Sequence, residues 1–208
     1  MFITFEGIEG MGKTTHLKWM ADQLRQAGVL VLVTREPGGT PMGEEIRDIL
    51  LKLRDERVAP LAELLLMFAA RAQHIETVIR PALAAQHWVL CDRYIDATYA
   101  YQGGGRGISM DVIAKLDQLI LASFQADYTF LFDAPAEIGL KRVKRRGNQD
   151  RFEQEEINFF ERVRKVYQTR AKQDPKRYKV IDAARSLEEV QKEVFNITHD
   201  LIKQSHVY

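Results

Sequence analysis

Five short stretches of the chain are largely apolar or β-branched, most with an acid at their end: residues 2–6, 29–34, 88–92, 128–133 and 178–182. A strand with one wet face would alternate. A continuous run predicts a strand apolar on both sides, as in a parallel sheet covered by helices on both faces. Longer stretches of helical periodicity lie between them. Leu17, Met20, Ala21 and Leu24 share one face, and the pattern stops at Gly28, a helix-ending signal. Near the other end Ser186-Leu187-Glu188-Glu189 has the form of a capping box, with Val190, Val194, Ile197 and Leu201 behind it. This alternation predicts an α/β fold, a doubly wound five-stranded parallel sheet with helices on both faces.

The length of 208 residues suits one domain over 1–208, and no repeat, low-complexity tract or linker interrupts it. A net charge of +1 implies no global attraction to nucleic acid or membrane. Charges break every apolar stretch before the ~18 residues of a membrane span. The first residues have neither a basic start nor a long apolar run, so no leader is expected there. Cys91 is the sole cysteine, which excludes an internal disulfide and fits a reducing, cytoplasmic setting.

Ligands of such sheets sit beyond the carboxyl ends of the strands, where the chemistry-bearing residues fall. Directly after the first strand comes Gly7-Ile8-Glu9-Gly10-Met11-Gly12-Lys13-Thr14, a G-x-x-x-x-G-K-[ST] phosphate loop with Thr15 behind it. Glycines let successive backbone N–H groups converge on phosphate oxygens, and the following helix points its positive end at the same anion. Lys13 is expected on the β- and γ-phosphates and Thr14 on Mg²⁺. The loop predicts a nucleoside triphosphate without saying what becomes of it. No Asn-Lys-x-Asp base-reading motif supports a GTPase, and the chain is short for a multi-domain ATPase, so a small kinase is favoured.

Asp92 ends the third strand, where an acid would hold Mg²⁺ directly or through water, and Arg93 follows it. A structural Asp–Arg ion pair is the plain alternative. Cys91 faces the other way and reads as core. Lys141, Arg142, Lys144, Arg145, Arg146 and Arg151 crowd eleven positions around a Gly147-Asn148-Gln149-Asp150 loop. The run reads either as a solvated helix face or as a lid, about residues 142–154, that swings guanidiniums onto a triphosphate. Glu44, Glu45, Asp55 and Glu56 read as solvated charges. Arg35-Glu36 reads as a structural pair shaping the loop that carries Pro37, and Gly103, Gly104, Gly105 and Gly107 as a flexible loop. None of the five histidines has metal-ligand spacing.

The chain resembles the thymidylate kinases, in the branch whose lid carries the arginines. The resemblance rests on Phe5-Glu6-Gly7 through Thr15, Arg35-Glu36-Pro37-Gly38-Gly39-Thr40, Asp92-Arg93-Tyr94, Tyr99-Ala100-Tyr101-Gln102-Gly103-Gly104-Gly105-Arg106-Gly107 and Asp150-Arg151-Phe152-Glu153. Their order spans nearly the whole chain. The resemblance implies transfer of the γ-phosphoryl of ATP to dTMP, in dTTP synthesis for DNA replication, with Mg²⁺ and as a homodimer. It implies that Glu9 faces the sugar 3′-hydroxyl and that Arg47 and Arg93 grip the 5′-phosphate. Arg71 meets a thymine carbonyl, with Thr98 and Gln102 at the base edge, Tyr101 presses on C2′, and the loop of Gly103, Gly104, Gly105 and Gly107 becomes a substrate-adjacent lining. Arg142 and Arg146 are the lid arginines, Arg146 being the catalytic finger. Relatives carry a Phe four residues before the arginine matching Arg71. Met67 stands there and Phe68 is next, and either would cover the base. Lys13, Asp92, Arg93 and Arg146 form the expected catalytic group, with Thr14 and Asp92 at the metal.

Overall fold

Strand β1, Phe2–Glu6, is buried at every position and occupies the centre of the sheet. The computed structural model describes residues 1–147 and 150–205, with only the backbone of Arg146, Gln204 and Ser205. Around β1 stand β2 (Val31–Arg35), β3 (Trp88–Asp92), β4 (Tyr128–Asp133) and β5 (Tyr178–Asp182), in the order β2-β3-β1-β4-β5. All four ladders are parallel. The connection after β1 runs to β2 on one side and the one after β3 crosses to β4 on the other, and this reversal opens a crevice at the carboxyl ends.

The helices are α1 (Lys13–Gln26), α2 (Pro41–Leu51), α3 (Pro60–His74), α4 (Arg80–Ala84), α5 (Ile95–Thr98), α6 (Met110–Leu121), α7 (Ala136–Arg146), α8 (Ile157–Gln173) and α9 (Leu187–Ser205). Strand alternation divides the core between two faces. Ile3, Phe5 and Leu90 pack with Leu17, Met20 and Leu24 of α1 and Val190 and Val194 of α9. Phe2, Val89 and Cys91 pack with Leu64 and Phe68 of α3 and Ile113 and Leu121 of α6.

Two expectations need correction. The second strand begins at Val31, because Gly28 and Val29 finish α1. Gly28 adopts φ 82°, and the Gly28 and Val29 N–H groups donate to Arg25 and Leu24 carbonyls, both at 3.0 Å. A residue tied into a helix end is not free to join a ladder. Continuous burial also fails at the sheet margins: Val180 of β5 is 53% exposed and Val31 to Val33 are half-buried. An edge strand has a neighbour on one side only, so apolarity there does not ensure burial. The capping box forms as expected, with Ser186 N donating to Glu189 Oε2 at 3.0 Å and Glu189 N to Ser186 Oγ at 3.3 Å.

The glycine run is not a loop. Tyr99–Gly105 continues α5 as a π-helical segment pressed onto α8. A Cβ at Gly105 would strike the Phe159 ring, so glycine permits this close approach. Wide π turns re-aim side chains at functional sites, and this one carries Tyr101 and Gln102.

Candidate active site

A cleft of about 510 Å³ opens over the carboxyl ends of β1 and β3. Register sets its floor. Phe5 pairs with Asp92, and Asp92 with Arg35, so three strands end level with one another. The loop after β1 reaches α1 at Lys13. Gly7, Gly10 and Gly12 all have positive φ, at 133°, 72° and 81°, which side chains rarely tolerate. The backbone must take this path to turn its N–H groups inward. Ile8 and Met11 sink into the core and anchor the loop. Gly10 also meets α7 backbone to backbone: a Cβ at Gly139 would fall on the Glu9 carbonyl oxygen. No sequence signal singled out Gly139.

The structure brings most of the expected residues to this cleft. Glu9, Gly10, Gly12, Lys13, Thr14 and Thr15 line one end, with Asp92 and Arg142. Arg47, Met67, Arg71, Arg93, Thr98, Tyr101 and Gln102 line the rest. Gly7 stands just behind, its carbonyl accepting from Arg93 Nη1 at 2.8 Å. Phe68 does not reach the cleft. It is 1% exposed, in the core with Leu64 and Ile75, and Arg71 lies over its ring at 5.3 Å. Met67 takes the cleft side because successive helical residues diverge by about 100°. The Arg146 side chain, with Asn148 and Gln149, lies outside the described residues.

Arg93 organises the centre. Its Nη2 meets Glu9 Oε1 at 2.9 Å, and its guanidinium lies 4.8 Å over the Tyr101 ring. Tyr101 donates to Glu9 Oε2 at 2.6 Å. Glu6, fully buried, holds the Tyr94 N–H and the Tyr167 hydroxyl, each at 2.7 Å. Burial first, then Asp96, pushes its carboxyl up to about 7. Neither Glu6 nor Tyr167 was legible as a site residue, since Tyr167 comes from α8 with no motif around it.

Arg71 is almost wholly buried and satisfied on three sides: Glu36 Oε2 at 2.7 Å, Thr98 Oγ1 at 3.0 Å and the Tyr94 carbonyl at 3.1 Å. His74 holds the other Glu36 oxygen at 2.9 Å. Arg35 and Glu36 therefore do not pair with each other. Arg35 binds Glu44 instead, at 2.7 Å, and Glu44 also takes the Gly39 N–H, so Glu44 shapes the loop rather than merely facing solvent. Arg47 donates to the Pro37 carbonyl at 2.9 Å. Of the basic run, Lys141, Lys144 and Arg145 are exposed, and Arg142 reaches the Gly10 and Ala183 carbonyls. Arg151 departs from it, donating inward to Glu63 at 2.6 Å and to the Leu50 carbonyl at 2.9 Å.

Lys13 donates to the Ile8 carbonyl at 2.8 Å. Burial, with Arg93 adding to it, pulls its ammonium from 10.5 down to about 8 against the pull of Asp92 and Glu9. A bound polyanion favours the charged form, so binding above pH 8 requires proton uptake. Triphosphate affinity should therefore weaken as pH rises past about 8, approaching tenfold per pH unit. Calorimetry in two buffers of different ionisation enthalpy would register the proton; an affinity flat from pH 7 to 9.5 would refute the linkage.

A model of the thymidylate kinase family matches residues 5–194. The chain is 54% identical to the thymidylate kinase of Pseudomonas syringae pv. tomato, over 98% of this chain and 97% of that protein. The chain belongs to the thymidylate kinase family. It is also 50% identical to the thymidylate kinase of Alcanivorax borkumensis, over 96% of each chain. The crystal structure of the family member from Ehrlichia chaffeensis superimposes with a TM-score of 0.76 at 37% identity, covering 95% of this chain and 97% of that one. No helix among the described residues is long and apolar enough to cross a membrane.

Proposed function

We infer that the protein is an ATP-dependent dTMP kinase, moving the γ-phosphoryl of ATP to dTMP to give dTDP and ADP. The observation that carries this reading is Arg93, which joins the phosphate loop at Gly7 to the Glu9–Tyr101 pair. A triphosphate in the loop and an acceptor beside Tyr101 would then meet at one guanidinium. Gly7 to Thr15 cradle the ATP phosphates, with Lys13 on the β- and γ-phosphates. Arg47 and Arg93 hold the acceptor phosphate, Glu9 takes the 3′-hydroxyl, and Tyr101 fills the space of a 2′-hydroxyl. Arg71, Thr98 and Gln102 read the base, with Met67 above it.

The acceptor phosphate oxygen is ionised near pH 7, so no general base is needed. Catalysis is positioning and charge neutralisation, with Arg142 and Arg146 brought from the lid, about residues 142–154. Thr14 donates to Asp92 Oδ2 at 2.5 Å, an all-oxygen corner suited to Mg²⁺, which keeps most of its shell as water and phosphate. Mg²⁺ there would neutralise phosphate charge.

Residues 1–208 act as one kinase domain. Leu61 and Leu65 on α3 and Met110, Val112 and Leu119 on α6 are 39 to 77% exposed, an apolar area suited to a homodimer. A cytoplasmic setting accords with the free, buried Cys91 thiol. Nucleic acid has no part in the reading.

ADP release should be followed with ATP, Mg²⁺ and each of dTMP, dUMP, dGMP and AMP. Release that depends on dTMP is expected. Equal release without any acceptor would overturn the kinase reading.

A further inference from the structure

Glu63 sits on α3 with no solvent exposure, and no motif marks it. Its Oε1 accepts from Gln102 Nε2 at 2.9 Å and Arg106 Nε at 3.2 Å, and its Oε2 from Arg151 Nη2 at 2.6 Å. The arginines are anchored independently, Arg151 on the Leu50 carbonyl and Arg106 on Glu155 at 2.5 Å. A guanidinium can only donate, and a carboxylate between two of them has only acceptors to offer. Gln102 must therefore turn its NH₂ toward Glu63. Its carboxamide oxygen is the end left for the cleft, and among the described residues no donor reaches that oxygen. On the same wall Arg71, which bonds Thr98 at 3.0 Å, presents donors only.

We propose that Glu63 is a positioning residue for base selection, locking the Gln102 carboxamide so that its oxygen, not its nitrogen, faces the base. The wall then offers an acceptor beside a donor. That is the complement of an imide edge, an N–H next to a C=O, as thymine and uracil present it. Cytosine presents the reverse at the same atoms, a ring-nitrogen acceptor beside an amine. A freely turning carboxamide could donate to the cytosine ring nitrogen as readily as accept from the thymine N–H. A locked one adds its own mismatch to the amine that already faces the Arg71 donors, and rejects cytosine by leaving buried polar groups unpaired. The inference rests on the proposed placement of the base against Arg71 and Gln102.

The test is binding of dTMP and dCMP to the full-length protein, by calorimetry, for Glu63→Leu and Gln102→Leu, alone and combined. With Glu63→Leu, dTMP should bind about tenfold more weakly while dCMP is unchanged or tighter, so discrimination falls about tenfold, the weight of one hydrogen bond. Adding Glu63→Leu to Gln102→Leu should change discrimination no further, the mark of one shared pathway. A purely structural role would weaken both ligands alike and leave the ratio intact, which overturns the proposal. Should Glu63→Leu not fold, Gln102→Leu decides alone: unaltered discrimination overturns it. Wild-type protein that binds no dTMP would instead sink the kinase reading.

Discussion

Lys13→Ala should lower kcat/KM for dTMP phosphorylation by on the order of 10³-fold while the protein stays folded. On the proposed reading its ammonium meets the β- and γ-phosphates, at the end of a loop whose three glycines take positive φ. In the free protein it is 93% hidden and bound to the Ile8 carbonyl. The depressed pKa gives the sign of the stability effect. Between pH 8 and 10.5 the unfolded chain binds more protons than the folded one, so stability rises with pH across that window. Below pH 8 the folded state carries the full cost of a buried ammonium. Removing it should leave the melting temperature at pH 7 unchanged or higher, which separates lost chemistry from lost folding. Steady-state kinetics beside a thermal melt is the check. Near-wild-type turnover by a folded Lys13→Ala protein would mean that the phosphate site has been misplaced.

Arg93→Ala should cost about 10²- to 10³-fold in kcat/KM for dTMP, with a smaller change in KM for ATP. The side chain does three things from one position. It bonds the Gly7 carbonyl, neutralises Glu9, and covers the Tyr101 ring. Removing it leaves the Glu9 carboxylate, 13% exposed, beside an acceptor that carries negative charge. Arg93→Lys should recover little. An ammonium is a compact point charge and cannot span the Gly7 carbonyl and Glu9 while lying flat on an aromatic ring. Kinetics with dTMP and ATP varied separately would distinguish this from a general loss of folding, in which both KM values and the melting temperature move together. Full rescue by lysine would show that charge alone matters and that the forked geometry does not.

The phosphate end of this site was legible because its residues stand within a few positions of strand ends, while Arg47, Met67 and Arg71, on α2 and α3, were reached only through the resemblance. The phosphate loop follows β1 directly, and Asp92 and Arg93 close β3, so strand assignment alone carried them to one edge. Phe68 and Met67 show where that reasoning stops. Spacing placed both on the Arg71 side of a helix, and only the packing of α3 against β1 and β3 put Phe68 in the core. Arg151 is similar. In sequence it belongs to a basic run, but its partner is Glu63, eighty-eight positions away. Glu44 read as solvated because the loop that brings Arg35 and Gly39 to it has no local signature.

Local patterns in the chain were enough for the parallel sheet, four of its five strand boundaries, the phosphate loop and the Asp92-Arg93 strand end, whereas Arg47, Met67, Arg71, Thr98, Tyr101 and Gln102 were reached only through the family resemblance. The former follow from local rules: periodicity, glycine conformations and turn chemistry act over a few positions. The tertiary structure alone decided which polar groups satisfy one another. Glu6 with Tyr167, Glu36 with Arg71 and His74, and Glu63 with Gln102, Arg106 and Arg151 are all pairings between distant elements. A buried carboxylate must find donors wherever folding brings them, and no sequence spacing records which helix will supply them.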